Sequence, residues 1–263
     1  MNSLESEQAV SIHSLEENPV IAELLRLLTQ EKAEQLTDFR ELVHCVDAME
    51  MQLTQTTAEL QTVKQELQSL RGRLSGEEKT LFSGLTSSLD TAFRQKREQL
   101  GSIKSGIVRA AEIVTGDMKG KGISGLNRAL EAIGVHKALS ALQTHLNKTS
   151  KALETGMERV ETIGRELREA GGHLQNAGRV VAGKERQNHT DQTGRVTGAV
   201  LTPLQRIHEA IGKMEKLSGQ ALNRLDSLER AAKEERPSVK DALKSFYSQR
   251  TQPNKLKRQE PSR

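Results

Sequence analysis

Aromatic side chains make up 2% of this chain; it has no tryptophan and one tyrosine. Aromatics carry much of the energy of a large compact core. Their scarcity, with an apolar share of 35%, argues against a domain with a thick interior. One cysteine, Cys45, excludes an intramolecular disulfide framework and fits a reducing compartment. Seven histidines show no HxxxH or HExxH spacing, so no metal site assembles and no cofactor is expected. No run approaches the roughly eighteen apolar residues of a membrane span. The opening MNSLESEQ has neither a basic start nor an apolar segment, so no secretory signal is expected. The chain reads as cytoplasmic. Five prolines and a charged share of 28% suit long solvated helices.

The strongest positive signal runs from Phe39 to Leu74. Steps of three and four pass through Phe39, Leu42, Val46, Met49, Leu53, Thr56, Leu60, Val63, Leu67, Leu70 and Leu74, with Thr56 the one non-apolar member. Such a repeat keeps one seam of an underwound helix facing a partner, the condition for a coiled coil. At 1.5 Å per residue the rod spans about 54 Å. A second seam follows Leu139, Leu142, Leu146, Thr149, Leu153, Gly156, Val160, Ile163, Leu167, Ala170, Leu174, Ala177 and Val181. One of its columns is mostly small, which favours close antiparallel packing. The fold class is all-α: an elongated coiled coil or antiparallel helical bundle with a disordered basic C-terminal tail.

In chain order, residues 1–18 form a polar, mobile lead. Asn18-Pro19 caps and opens a short amphipathic helix carrying Ile21, Leu24 and Leu28. A joint near Thr29–Lys32 precedes the heptad rod of 36–75, which Gly72 and Gly76 close; a continuous helix with a skipped register is the competing reading. Helical segments fill 77–182. The first has an apolar row of Phe82, Leu85, Leu89, Phe93, Leu100, Ile103, Ile107, Ala110 and Val114, with a register shift at Leu89–Phe93. A glycine-rich joint over 116–125 and a short helix from Ser124 to Ile133 follow, the latter capped by Gly134. Residues 183–197 form a polar loop, 198–235 a last heptad helix, and 236–263 a short helix and basic tail.

Charge is uneven. Residues 1–80 hold 15 acidic against seven basic side chains, whereas 81–232 hold 23 basic against 16 acidic. The two parts attract each other, within one chain or between chains. A parallel pair of rods sets Glu59 beside Lys64 and Glu66 beside Arg71 of the partner. Folding the acidic rod along the basic helix 139–181 is the alternative. Self-association through the rod is the expectation slightly favoured.

Chemistry-bearing patterns are weak. Gly178 to Glu185 matches most of a phosphate loop, but Glu185 stands where Ser or Thr must hold magnesium. A helix end capped by Gly183 accounts for it. Cys45 flanks the seam as a shielded thiol. No catalytic constellation emerges, and the protein is expected not to be an enzyme. Lys255, Lys257, Arg258 and Arg263 could neutralise phosphates, yet no aromatics interleave to stack bases. A weak nucleic-acid contact through this tail stays as the alternative to protein contacts, or self-contacts, through the seams.

Several stretches carry a resemblance: Ile21-Ala-Glu-Leu-Leu-Arg-Leu-Leu, Phe39-Arg-Glu-Leu-Val, Glu59-Leu-Gln-Thr-Val-Lys-Gln-Glu-Leu, Gly134-Val-His-Lys-Ala-Leu, and Pro237-Ser-Val-Lys-Asp-Ala-Leu. On these the chain resembles a family of helical coiled-coil proteins from integrative conjugative elements of gut Firmicutes, the domain-of-unknown-function 6674 type. The resemblance covers nearly the whole length. Members of that family often show an Asn-Gly turn where this chain has Gln30-Glu31-Lys32. The resemblance implies genomic company with conjugation genes and carries over no activity, cofactor or site.

Overall fold

A computed structural model describes residues 14–29, 33–70, 76–117, 122–181 and 192–234. Among the described residues six α-helices follow in order: α1 (Pro19–Thr29), α2 (Ala33–Leu70), α3 (Gly76–Asp117), α4 (Gly122–Ile133), α5 (Val135–Val181) and α6 (Gln192–Glu234). Among the described residues there is no strand. The fold is an all-α antiparallel bundle.

Cross-helix bonds give the directions. Lys64 on α2 meets Asp90 on α3, and Glu50 meets Lys104, so residue numbers fall along α3 as they rise along α2. Lys96 on α3 meets Thr149 on α5, and Gln99 meets His145. His136 and Glu154 on α5 meet Asp226 and His208 on α6, and Asp38 and Glu59 on α2 meet Arg224 and Arg206 on α6. The four long helices therefore run up, down, up, down, each with two long neighbours. The α2–α6 contact is the most extensive, followed by α5–α6. Buried Ala210, Ser218 and Ala221 let the backbone of α6 approach its neighbours closely.

The rod does not find its partner where the charge pattern alone pointed. Its mate along the acidic face is α6 of the same chain, not α5. Lys64 reaches Asp90 at 3.0 Å and Arg206 reaches Glu59 at 3.5 Å. Two of the four rod residues expected to serve a parallel homotypic pair, Glu59 and Lys64, are thus engaged within the chain.

Local chemistry explains the joints. Asn18 Oδ1 accepts the amides of Val20, at 2.9 Å, and Ile21, and Pro19 takes the first helical position. The end of the lead is held rather than mobile. Leu15 lies buried in a single 3-10 turn (Leu15–Glu17), and Asp47 Oδ2 accepts from Ser14 Oγ and the Leu15 amide at 2.6 and 2.7 Å. Residues 1–13 lie outside the described residues, as do 30–32, 71–75, 118–121, 182–191 and 235–263. α1 ends at Thr29 and α2 begins at Ala33, and the joint expected near Thr29–Lys32 falls on 30–32, outside the described residues.

Three boundaries differ from the sequence reading. Gly76 opens α3 instead of closing the rod, and α4 starts at Gly122, inside the expected glycine-rich joint. α6 starts at Gln192, within the expected polar loop. Extending an existing helix costs little compared with nucleating one, and Pro203 is accommodated inside α6. Gly134 closes α4 with φ +82°, its amide donating to Leu130 and Glu131, while its carbonyl accepts from Ala138 to begin α5. α3 comes close to this bend at Gly106, where a Cβ would stand 3.1 Å from Ile133 and 3.2 Å from Val135.

The buried face of α3 differs from the expected apolar row. Its core row is Phe82, Thr86, Leu89, Phe93, Lys96, Leu100, Ile103, Ile107, Ala110 and Val114, all buried. That is an unbroken heptad, so there is no register shift at Leu89–Phe93. Thr86 stands where Leu85 was expected, and Lys96 fills the position the apolar row skipped.

Leu60 is fully buried and Gln61 is exposed. Lysine at position 60 puts a charge into an apolar seam at a cost of about 3 kcal/mol or more. Thermal unfolding followed by circular dichroism should show Leu60→Lys melting well below the parent and Gln61→Lys within a degree or two of it. Equal shifts at the two positions would contradict this seam.

Candidate functional site

The seam residues named from the sequence converge on one interior. Phe39, Leu42, Val46, Met49, Leu53, Leu60 and Val63 are buried in the same core as Leu139, Leu146, Leu153 and Val160, and Leu67 is partly buried against it. The side chains of Leu70, Leu167 and Leu174 lie outside the described residues, as do Leu74 and the basic residues Lys255, Lys257, Arg258 and Arg263.

Around this core the charge asymmetry is resolved helix by helix. Arg224 on α6 binds Asp38 at 3.0 Å and also Glu41. Lys104 on α3 lies between Glu50 at 2.5 Å and Asp47 at 3.3 Å. The Arg224 pairs are partly exposed and of a kind that contributes on the order of 1 kcal/mol or less each, whereas Lys104, Asp47 and Glu50 are part-buried. Their larger effect is to fix which helix lies beside the acidic rod and in which direction.

Some side chains of catalytic type come together among the described residues. Ser150 Oγ and Glu154 Oε1 approach the same nitrogen of His208, Nε2, at 3.1 and 3.0 Å. A serine relay needs the carboxylate on the opposite ring nitrogen, Nδ1, so that Nε2 can take the serine proton. Two partners on one nitrogen pin α6 to α5 without providing that path. Cys45 is buried beside Gln220, and burial, with Glu41 nearby, raises its thiol above the ordinary range, Arg224 opposing. A thiol so shifted is a poor nucleophile. Gly178 to Val181 belong to helix α5 rather than to a loop after a strand. Among the described residues no group of three or more His, Cys, Asp or Glu is placed to hold a metal. Between α3 and α5 an apolar groove of about 310 Å³ is lined by Leu81, Leu85, Leu89, Ala152, Gly156 and Val160, with Leu81 46% exposed.

Lys96 was missed from the sequence. It is only 2% exposed, in the middle of α3 and facing the interior. Its ammonium donates to Thr149 Oγ1 at 2.6 Å and to the Ala92 carbonyl at 3.5 Å, and Thr149 in turn donates to the His145 carbonyl. No carboxylate among the described residues pairs with it. Burial lowers its pKa to about 8. Two signals could have revealed it: the gap between Phe93 and Leu100 in α3, and the hydroxyl of Thr149 interrupting the second seam.

These features define an antiparallel heptad bundle whose polar side chains bind its own helices together. The chain belongs to the family of unknown function DUF6674, whose profile matches residues 17–263. No curated protein and no solved structure matches it.

The lysine makes stability depend on pH in a defined direction. Its folded pKa of about 8 lies below the ordinary 10.5. Between these values the unfolded chain holds a proton that the folded chain has released, so stability rises with pH in that window. Below pH 8 both states are charged and the burial cost of about 3 kcal/mol is fully present. Denaturant titrations at pH 7 and pH 10 should show the parent gaining up to about 3 kcal/mol relative to Lys96→Met. A parent and variant that change in parallel would refute the buried cation.

Proposed function

We propose that the protein is a non-enzymatic structural or scaffolding protein of the cytoplasm, an accessory of a bacterial mobile element, acting through protein contacts of its helical body. One observation carries the reading. The reactive side chains brought together in the described residues are committed to helix–helix contacts, as in the Ser150–Glu154–His208 cluster, where two groups share one ring nitrogen. The mobile-element setting rests on the sequence resemblance to proteins of conjugative elements.

The alternative is nucleic-acid binding by the basic half. Against it, Arg206 and Arg224 in the C-terminal half spend their charge on carboxylates of the same bundle. Binding driven by phosphate contacts falls steeply with salt, which separates the two readings. Crosslinking in the native host followed by mass spectrometry should recover protein partners, while the purified chain shows no duplex-DNA binding at physiological salt. DNA binding that weakens steeply with salt, and is lost when the chain is cut after Glu234, would overturn the proposal in favour of the alternative.

A further inference from the structure

Heptad seams of similar length have a built-in ambiguity. Displacing one helix by seven residues brings apolar positions back onto apolar positions. Here α2, α3, α5 and α6 all carry such seams through the bundle core. Two polar contacts mark the observed register of α3 against α5, the part-buried Gln99–His145 pair and, fully inside, Lys96 with Thr149. Lys96 lies opposite Thr149, whose hydroxyl accepts its ammonium at 2.6 Å. A seven-residue displacement would put Leu142 or Gly156 in that place, and neither has a side-chain acceptor. Both flanking positions of α5 are buried, so the ammonium would meet apolar packing instead of a hydroxyl. A buried charge without a partner is far more costly than one that is hydrogen-bonded.

We propose that the Lys96–Thr149 pair sets the register of α3 against α5, giving up stability in exchange for a single arrangement. A buried polar residue that fixes register in an otherwise apolar seam is the best-attested use of such groups. The geometry singles out this pair because the other buried hydroxyls bond to backbone. Thr56 donates to the Gln52 carbonyl, Thr86 to the Phe82 carbonyl and Ser218 weakly to the Leu139 carbonyl. Among the described residues only Lys96 directs a charge across a seam at a side chain of the facing helix while itself nearly inaccessible.

The test reads register directly. In a full-length Cys45→Ser background, Gln99→Cys is combined in turn with His145→Cys, Ala138→Cys or Ala152→Cys and treated with a short bifunctional thiol reagent. Gln99 and His145 touch at 2.7 Å across the seam, and positions 138 and 152 lie one heptad to either side. With Lys96 present, the 99/145 combination should dominate. In Lys96→Met, a crosslink at 99/138 or 99/152 should rise several-fold while helicity is kept and the melting temperature is unchanged or higher. Thr149→Val, which keeps the lysine and removes its acceptor, should also shift the crosslinks and should lower the melting temperature. A folded Lys96→Met variant with the parent's crosslink pattern would overturn the proposal, because the apolar seam would then hold its register unaided. Loss of helicity in Lys96→Met would overturn it too, making the lysine a stabilising contact. Thr149→Val with unaltered crosslinks and stability would count against it equally.

Discussion

The structure depends on the seam between α2 and α6. These helices are far apart in sequence, yet they share the most extensive contact in the molecule. Burial of the Phe39–Val63 column against α6 and α3 removes apolar surface from water at about 25 cal/mol per Å². That term is non-directional and does not choose a partner. The choice comes from shape and charge: small Ala210, Ser218 and Ala221 on α6, and arginines placed against Asp38, Glu41 and Glu59. Once α6 is set on α2, α3 and α5 fill the remaining sides, and α1 with the preceding turn closes one end against α2 and α3.

Polar groups in this bundle select between arrangements that hydrophobic burial leaves nearly equal. Surface pairs select the neighbour and its direction at little energetic gain. Asp47 does so for the N-terminal turn, receiving Ser14, Leu15 and Lys104 at once. Lys96 lies at the costly end of the same scale, buried among apolar side chains with a hydroxyl for a partner. Among the described residues the bundle thus ranges from cheap electrostatic choices at its surface, through the part-buried Asp47–Lys104 contact, to the expensive Lys96 in its interior.

Much of the fold was legible in the sequence because heptad periodicity is a local signal. The α2 and α5 seams, the cap at Asn18 and the left-handed glycine at 134 could be read from residues a few positions apart. The pairing of helices could not, since Glu59 and Lys64 fit a homotypic partner as well as they fit Arg206 and Asp90. Helix boundaries at Gly76, Gly122 and Gln192 were misplaced because glycine and polar residues lower helix propensity but do not forbid a helix that packing supports. Lys96 was invisible to a search for apolar rows, although its place in the repeat was the one such a search left empty. A candidate site was less legible still, because no compact set of residues announces one and the basic tail lies outside the described residues.

The central claim is that the rod is covered by α6 of its own chain. Cys45 on α2 and Gln220 on α6 face each other, Sγ to Oε1 at 4.0 Å. Oxidising a Gln220→Cys variant in an equimolar mixture of short- and long-tagged chains distinguishes bonds within a chain from bonds between chains. The structure predicts a disulfide in which each crosslinked species carries one tag length and the mass of one chain. A mixed-tag dimer as the main product would contradict it and show the rods pairing between molecules.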